Sequence, residues 1–267
     1  GPASLLYGSD ALGGVIQATS NDLFDYEQPL AGEAAVQVLS NTQHGAGHLS
    51  LGGRSGATVY EAGITLRRAG SYDTPNGLVP NTGMDERSGS VRLGHTFSWG
   101  TALAEYQHFG SRIGLFELEE DEHEGEEHEE EDHEVERFDI SQPYQRVQHD
   151  RAKLHFNVPV SGHRLEWVTT LQQNRRKEFE DHHGHGEEEE HDEPEVINEE
   201  GEDEPALFLR LNTLTSDVRF HHRPVGRLFG TIGVSGFLQQ NETLAEEALI
   251  PGADTWNGGV YLFEEWM

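Results

Sequence analysis

Apolar and polar residues alternate along several long stretches of this chain, and this alternation constrains the fold more than any other feature. The apolar members of one stretch are Ala152, Leu154, Phe156 and Val158, and the polar members are Arg151, Lys153, His155 and Asn157. The same period of two recurs at 57–70, 164–175 and 226–240, and 207–222 alternates less cleanly, with a change of phase near Thr213. A period of two over ten or more residues predicts long β-strands with one apolar and one polar face. Strands of soluble sandwiches average five or six residues, so such long strands favour a transmembrane barrel.

The spacing of turn residues predicts about ten strands. They are expected at 31–41, 47–53, 57–70, 86–97, 101–112, 144–158, 163–177, 206–222, 227–240 and 256–266. Tight turns at 53–56, 98–100, 159–162 and 223–226 alternate with long connections at 71–85, 113–143, 178–205 and 241–255. Alternate connections of antiparallel neighbours lie at opposite ends of a sheet, so the long connections share one end. Short periplasmic turns and long extracellular loops are typical of outer-membrane barrels.

Two long connections carry nearly all of the chain's negative charge. The chain has 49 acidic and 18 basic residues, for a net charge of −31. Residues 113–143 hold 15 acids and one base, Arg137, and residues 178–204 hold another 15 acids and no base. The remainder has 49 − 30 = 19 acids and 18 − 1 = 17 bases, which makes a nearly neutral scaffold. Such a field disfavours nucleic acid as a partner and favours cations.

Histidines in the two acidic runs are the candidate metal ligands. Seven of the 16 histidines of the chain lie there: His123, His128, His133, His182, His183, His185 and His191. Imidazole together with carboxylate suits Zn²⁺, Cu²⁺ and Ni²⁺, so we expect these loops to capture a metal ion. The alternative is a solvated loop whose charge only repels other molecules.

The other histidines and the tryptophans are expected to have different roles. His44 and His48 are predicted in or beside the first outer loop, as weak extra ligands, and His155 is predicted to face the lumen. His221 and His222 are expected on the surface or in a girdle beside a tight turn. Three tryptophans near strand ends fit the aromatic belts of a membrane protein: Trp99, Trp256 and Trp266.

Several classes of protein are disfavoured by what the sequence lacks. The chain has no cysteine, which excludes disulfides and Cys-based zinc sites. It has no run of 18 apolar residues, so no transmembrane helix is expected. No H-E-x-x-H, G-x-S-x-G or nucleotide-binding glycine motif is present, so an enzyme is not expected and no catalytic cofactor is called for. The chain has no signal peptide and starts without methionine, and we expect it to be a fragment.

The first residues resemble the end of the plug domain of TonB-dependent outer-membrane receptors. That family's pattern reads G-x-x-S-x-x-Y-G-x-x-A-x-G-G-V-I. The residues that fall on it here are Gly1, Ser4, Tyr7, Gly8, Ala11, Gly13, Gly14, Val15 and Ile16. The resemblance implies an all-β, plugged, transmembrane antiparallel β-barrel, with the end of the plug at 1–20 and the first part of the barrel at 21–267.

The resemblance also implies a function and partners. Such a receptor lies in the outer membrane of a Gram-negative cell, contacts its lipid, and imports cargo with the TonB–ExbB–ExbD machinery, here through a segment that the chain lacks. Acidic, His-rich outer loops resemble those of the zinc-uptake branch, so Zn²⁺ is the expected transported ion. The alternatives are a receptor for a siderophore, haem or copper chelate, and a surface metal buffer that transports nothing.

Overall fold

The computed structural model describes residues 22–116, 137–180, 205–245 and 251–266. Ten strands form one antiparallel sheet in which each strand pairs with the next long strand along the chain. Their bounds are β1 Ala31–Leu39, β2 His44–Ser55, β3 Thr58–Ala69, β6 Met84–Phe97, β7 Gly100–Gly114, β8 Tyr144–Val160, β9 His163–Phe179, β10 Leu207–Val225, β11 Leu228–Thr243 and β12 Ala253–Trp266. The remaining strands, β4 (Asp73–Thr74) and β5 (Gly77–Leu78), form a small separate hairpin. The ten predicted strands are therefore confirmed.

The connections alternate as the sequence predicts. Two-residue turns link β2 to β3, β6 to β7, β8 to β9 and β10 to β11, as shown by the closing pairs Ser55↔Thr58, Phe97↔Gly100, Val160↔His163 and Val225↔Leu228. The long connections all lie at the opposite end, which we call the loop end. Among the described residues no helix is long and apolar enough to cross a membrane.

Three details of the sheet differ from prediction. The first connection is a turn of residues 40–43, because β2 already begins at His44 and Leu39 pairs with it. His44 therefore begins strand β2 directly beside the first connection, as predicted, and His48 lies within the strand. The predicted loop at 71–85 contains the β4–β5 hairpin, and β10 extends three residues further towards the turn than expected.

The register gives the sheet one apolar face. Tyr106, Ala152, Leu171 and Leu214 lie side by side across β7 to β10. Leu171 is 57% exposed and Val234, on the same face of β11, is 53% exposed. Large aliphatic side chains that are half exposed on one face of a long-stranded sheet are what a lipid-facing surface requires. We call this side the apolar face.

The opposite side, the polar face, carries the charged side chains of the alternating stretches. Strand β10 carries apolar residues on different faces in its two halves. Val218 pairs with Trp167 and Val234 on the apolar face, whereas Leu211 pairs with Asn174 and Asn241 on the polar face. No bulge occurs between Leu211 and Val218. The strand therefore continues without interruption through Thr213. The predicted change of phase there is a change in which face carries the apolar residues.

Candidate functional site

Residues 22–26 lie against the polar face, at the end where the tight turns are. Asp22 caps a single 3-10 turn, Leu23–Asp25, by accepting a hydrogen bond from the backbone N–H of Phe24 at 3.0 Å. Leu23 is 1% exposed and packs with Val59 and Leu103, both of which project from the polar face. This cluster places residues 22–26 on the polar side of the sheet.

Two glycines make room for this segment. A Cβ atom at Gly94 would lie 2.9 Å from Cζ of Phe24 and 2.7 Å from Cγ2 of Val59. A Cβ atom at Gly52 would lie 2.6 Å from the hydroxyl oxygen of Tyr26. Any larger residue at these positions would displace the segment or a core side chain, so these two glycines are explained by close packing.

Hydrogen bonds hold the same segment in place. The Arg54 guanidinium donates to the carbonyls of Phe24 and Tyr26, and the Tyr26 hydroxyl donates to Oε2 of Glu61 at 2.9 Å. Glu61 also accepts from Arg92 at 3.2 Å, and Nε of Arg92 lies 3.5 Å from Oε2 of Glu105. Arg92 and Glu105 are buried. The polar face therefore has a fixed charge network under residues 22–26.

A second charged cluster lies on the polar face of the later strands. Nε2 of His155 lies 3.0 Å from Oε1 of Glu166, and Nε2 of His221 lies 3.2 Å from Oε2 of the same carboxylate. The lumen-facing orientation predicted for His155 is supported, since it meets Glu166 on the polar face. His221 points to the polar face as well, whereas His222 lies on the apolar face beside the tight turn, 3.1 Å from Glu264.

A polar concavity of about 430 Å³ lies nearer the loop end and is lined in part by His48, Thr65, Ser88, His149 and Arg151. Nδ1 of His48 lies 2.9 Å from Oγ1 of Thr65. His149 is exposed and lies edge-on to Phe109, with ring centroids 5.7 Å apart. His44 lies on the polar face nearer the loop end and is buried. Neither of its ring nitrogens has a hydrogen-bond partner among the described residues.

These histidines do not form a metal centre. Within 22–116, 137–180, 205–245 and 251–266, no group of three or more His, Cys, Asp or Glu is arranged to hold a metal ion. The seven histidines predicted as ligands all fall in 117–136 or 181–204, outside the described residues. The same holds for the plug-like residues 1–20.

The structure does describe how the first acidic run is attached to the sheet. Nδ2 of Asn81 donates to the carbonyl of Leu115 at 3.0 Å and to the carbonyl of Pro143 at 2.7 Å. The backbone N–H of Leu115 also donates to the carbonyl of Pro143 at 2.9 Å. The two ends of the run, at Leu115 and Pro143, are therefore in contact, and we call them its roots. Asn81 joins both of them to the segment that carries the β4–β5 hairpin.

Arg137 makes a second attachment. Its Nη1 donates to the carbonyl of Ser71 at 2.9 Å, and its Nη2 donates to Oδ1 of Asp73 at 2.8 Å. The backbone N–H of Ser71 in turn donates to the carbonyl of Arg137 at 2.7 Å. The hydrogen bond from Arg137 lowers the pKa of Asp73 below its ordinary value of 3.8. The one base of the first acidic run is thus used to join that run to the hairpin.

The hairpin and its contacts were not foreseen from the sequence. Asn76-Gly77 is a common hairpin signal, and Gly77 has the positive φ of 123° that favours glycine. That dipeptide could have located the hairpin within the predicted loop. The role of Asn81 has no local signal, because its two partners lie 34 and 62 residues away.

These features define the class of fold. A meander of ten long antiparallel strands, apolar on one face and polar on the other, with tight turns at one end and long loops at the other, is a barrel wall of the outer-membrane type. The predicted all-β antiparallel fold of an outer-membrane barrel is therefore confirmed, whereas the plug predicted at 1–20 falls outside the described residues.

Comparison with solved structures agrees with this class. The chain is similar to two structures of the FrpB iron transporter from Neisseria meningitidis, the F3-3 variant and the F5-1 variant in its apoprotein form. The TM-scores are 0.51 and 0.52, the sequence identity is 13% in both cases, and 80% of this chain is covered. The chain spans 30% and 29% of those two proteins. No protein-family model matches the chain, and no curated protein matches it.

Proposed function

We propose that this chain is the first part of the barrel of a TonB-dependent outer-membrane receptor that imports a divalent metal ion, with zinc as the cargo. The observation that carries the proposal is the position of residues 22–26. Leu23 is buried on the polar face, so the chain reaches β1 from the side that a barrel turns towards its lumen. A plug domain that precedes the barrel would approach from this side.

The likeness to FrpB supports the transporter class, since that protein is named an iron transporter. It also gives iron as a second candidate cargo. Carboxylates are hard ligands, whereas imidazole favours zinc, copper and nickel. The seven histidines of the acidic runs favour zinc over iron on these grounds.

The orientation of the barrel can be tested with single cysteines introduced into this chain, which has none of its own. Asn76→Cys places a thiol at the loop end, and Ser161→Cys places one in the β8–β9 turn. A membrane-impermeant maleimide added to intact cells should label the first variant and not the second, while both label after lysis. Labelling of Ser161→Cys alone in intact cells would overturn the proposed orientation.

The cargo can be tested with three variants of the intact receptor. One lacks 117–136 and 178–204, the second replaces the seven histidines by glutamine, and the third replaces seven glutamates of the same runs by glutamine. At limiting zinc, the deletion and the histidine variant should both lower zinc uptake, and the third should lower it less. Unchanged zinc uptake in the deletion variant, with iron uptake reduced, would reject zinc in favour of iron.

A further inference from the structure

Contacts with the sheet continue along the chain from residues 22–26 to the start of β1. The carbonyl of Gln28 accepts a hydrogen bond from the backbone N–H of Arg54 at 2.8 Å, and the carbonyl of Pro29 accepts one from the Tyr60 hydroxyl at 2.6 Å. We call residues 22–30 the anchor segment. Its contacts come from strands β2, β3, β6 and β7, so one short piece of chain is attached to four strands.

Detachment of the anchor segment would break apolar and polar contacts together. Leu23 and Val59 pack together and are 1% and 0% exposed, so both side chains would become exposed to water. Arg54 would lose the carbonyls of Phe24 and Tyr26 as acceptors. A segment whose contacts must be lost together opens far less often than a fraying chain end.

The composition of the anchor segment is unlike that of a flexible linker. Residues 22–30 contain no glycine and no serine, the two residues that make linkers flexible. The Tyr26 hydroxyl donates to Glu61, which also accepts from the buried Arg92, so the segment shares a charge network with the wall. The segment is therefore suited to a fixed position and not to a moving connection.

A barrel with a plug requires a boundary between the part of the chain that moves and the part that does not. A lumen that is closed by a plug conducts cargo only when the plug moves or changes shape. The plug predicted at 1–20 directly precedes the anchor segment in the chain. Because four strands of the wall hold the anchor segment, we expect the boundary on its N-terminal side.

We propose that residues 22–30 stay attached to the barrel wall during import, so that the moving part of the plug ends before Asp22. The anchor segment limits the movement of the plug and keeps its C-terminal end at the tight-turn end of the wall. The inference rests on the proposed receptor function, because it requires a plug that moves. It does not depend on the identity of the cargo.

Labelling of a buried thiol in cells that express the intact receptor tests the anchor. Val59→Cys is the reporter, since cysteine behaves as a small apolar residue and Val59 is fully buried. Its rate of labelling by a small permeant maleimide is measured with and without a protonophore that collapses the inner-membrane gradient, alongside zinc uptake by the same cells. The matched variant adds Arg54→Met and Tyr26→Phe, which remove the side-chain hydrogen bonds that hold Phe24 and Tyr26. The reporter alone should be labelled at one slow rate in both conditions, whereas the matched variant should be labelled at least twice as fast when the gradient is present.

A covalent lock gives a second measurement. Leu23→Cys/Val59→Cys, joined by a short, reducible bifunctional thiol reagent, should import zinc at the rate of the same variant whose two thiols are blocked separately. Uptake that is lost on joining and returns after reduction would overturn the anchor, as would gradient-dependent labelling of the Val59→Cys reporter alone. Equal labelling of the matched variant with and without the gradient would also overturn it, because the named contacts would then hold nothing during import. Absence of gradient-dependent uptake by the reporter would instead reject the proposed function, and the anchor with it.

Discussion

Nη2 of Arg137 lies 2.8 Å from Oδ1 of Asp73, which precedes it by 64 residues. The only base of the first acidic run thereby joins that run to the β4–β5 hairpin. A short segment that would otherwise be an independent surface hairpin shares its contacts with the root of the first acidic run. The hairpin and the loop root are therefore expected to respond together when either is altered.

This ion pair should give the hairpin a defined pH dependence. The pKa of Asp73 is lower in the folded protein than its ordinary value of 3.8, because Arg137 donates a hydrogen bond to it. Such a group stabilises the folded state above its unfolded pKa, and the effect is lost as the pH falls through the lower folded value. The protection factor of the Ser71 amide against hydrogen exchange should be constant from neutral pH down to about pH 4 and should fall below it.

Two variants separate the ion pair from the other bonds of Arg137. Asp73→Asn should abolish the fall in the protection factor below pH 4 and should leave Ser71 partly protected, since Arg137 still bonds the Ser71 carbonyl. Arg137→Gln should expose Ser71 at every pH. If Asp73→Asn kept the native pH profile, another group would be responsible for it.

Asn81 should stabilise both roots of the first acidic run. Asn81→Gly removes the hydrogen bonds to the carbonyls of Leu115 and Pro143, and glycine accepts the φ of 50° found at this position. The Leu115 carbonyl would lose the Asn81 donor, and the Pro143 carbonyl would keep only the Leu115 N–H. This should cost about 1–3 kcal/mol, measured by urea unfolding or by exchange of the Leu115 amide. Asn76→Gly, on the exposed tip of the hairpin, is the control, and an equal cost there would contradict the assigned role.

Gly94 should be required for the packing of residues 22–26. The Cβ atom of Gly94→Ala would clash with Phe24 and Val59, so overpacking should cost about 1–3 kcal/mol and should make this segment sensitive to protease. Gly63→Ala is a matched control on the same face, because its nearest neighbour would be 3.5 Å away. Equal protease sensitivity in both variants would show that Gly94 is not a contact of the segment.

The assignment of the two faces can be tested on a single strand. Leu154 lies on the apolar face and is 44% exposed, and Asn157 lies on the polar face. In lipid vesicles, Leu154→Arg should lower the free energy of unfolding by about 2–4 kcal/mol, because the charge would be placed in the hydrocarbon. Asn157→Arg should change it by about 0.5 kcal/mol or less. The opposite order would reverse the faces.

The strands could be predicted from the sequence because their signal is local. The alternation from Arg151 to Val158 is sufficient to locate a strand and to assign each side chain to a face, and the two-residue turns then determine the register. His155 was placed correctly on these grounds alone. The extra length of β2, by contrast, lacks such a signal, since Gly45 and Gly47 interrupt the alternation after His44.

Contacts between distant segments could not be predicted in this way. Whether Arg137 is a free base in an acidic run or a partner of Asp73 depends on how the hairpin folds back. The burial of Leu23 depends on Val59 and Leu103, which come from strands far along the chain. His221 was expected on the surface or in a girdle because of the adjacent turn, and its contact with Glu166 of the neighbouring strand was not foreseen.

Energised metal uptake by intact cells tests the proposed role most directly. Cells that express the intact receptor as their only zinc receptor are given radioactive zinc at limiting concentration, with and without a protonophore that collapses the inner-membrane gradient. The proposed function predicts accumulation that requires the gradient and that falls when 117–136 and 178–204 are deleted. Zinc retention that is equal with and without the gradient would contradict import and would identify the protein as a surface metal buffer.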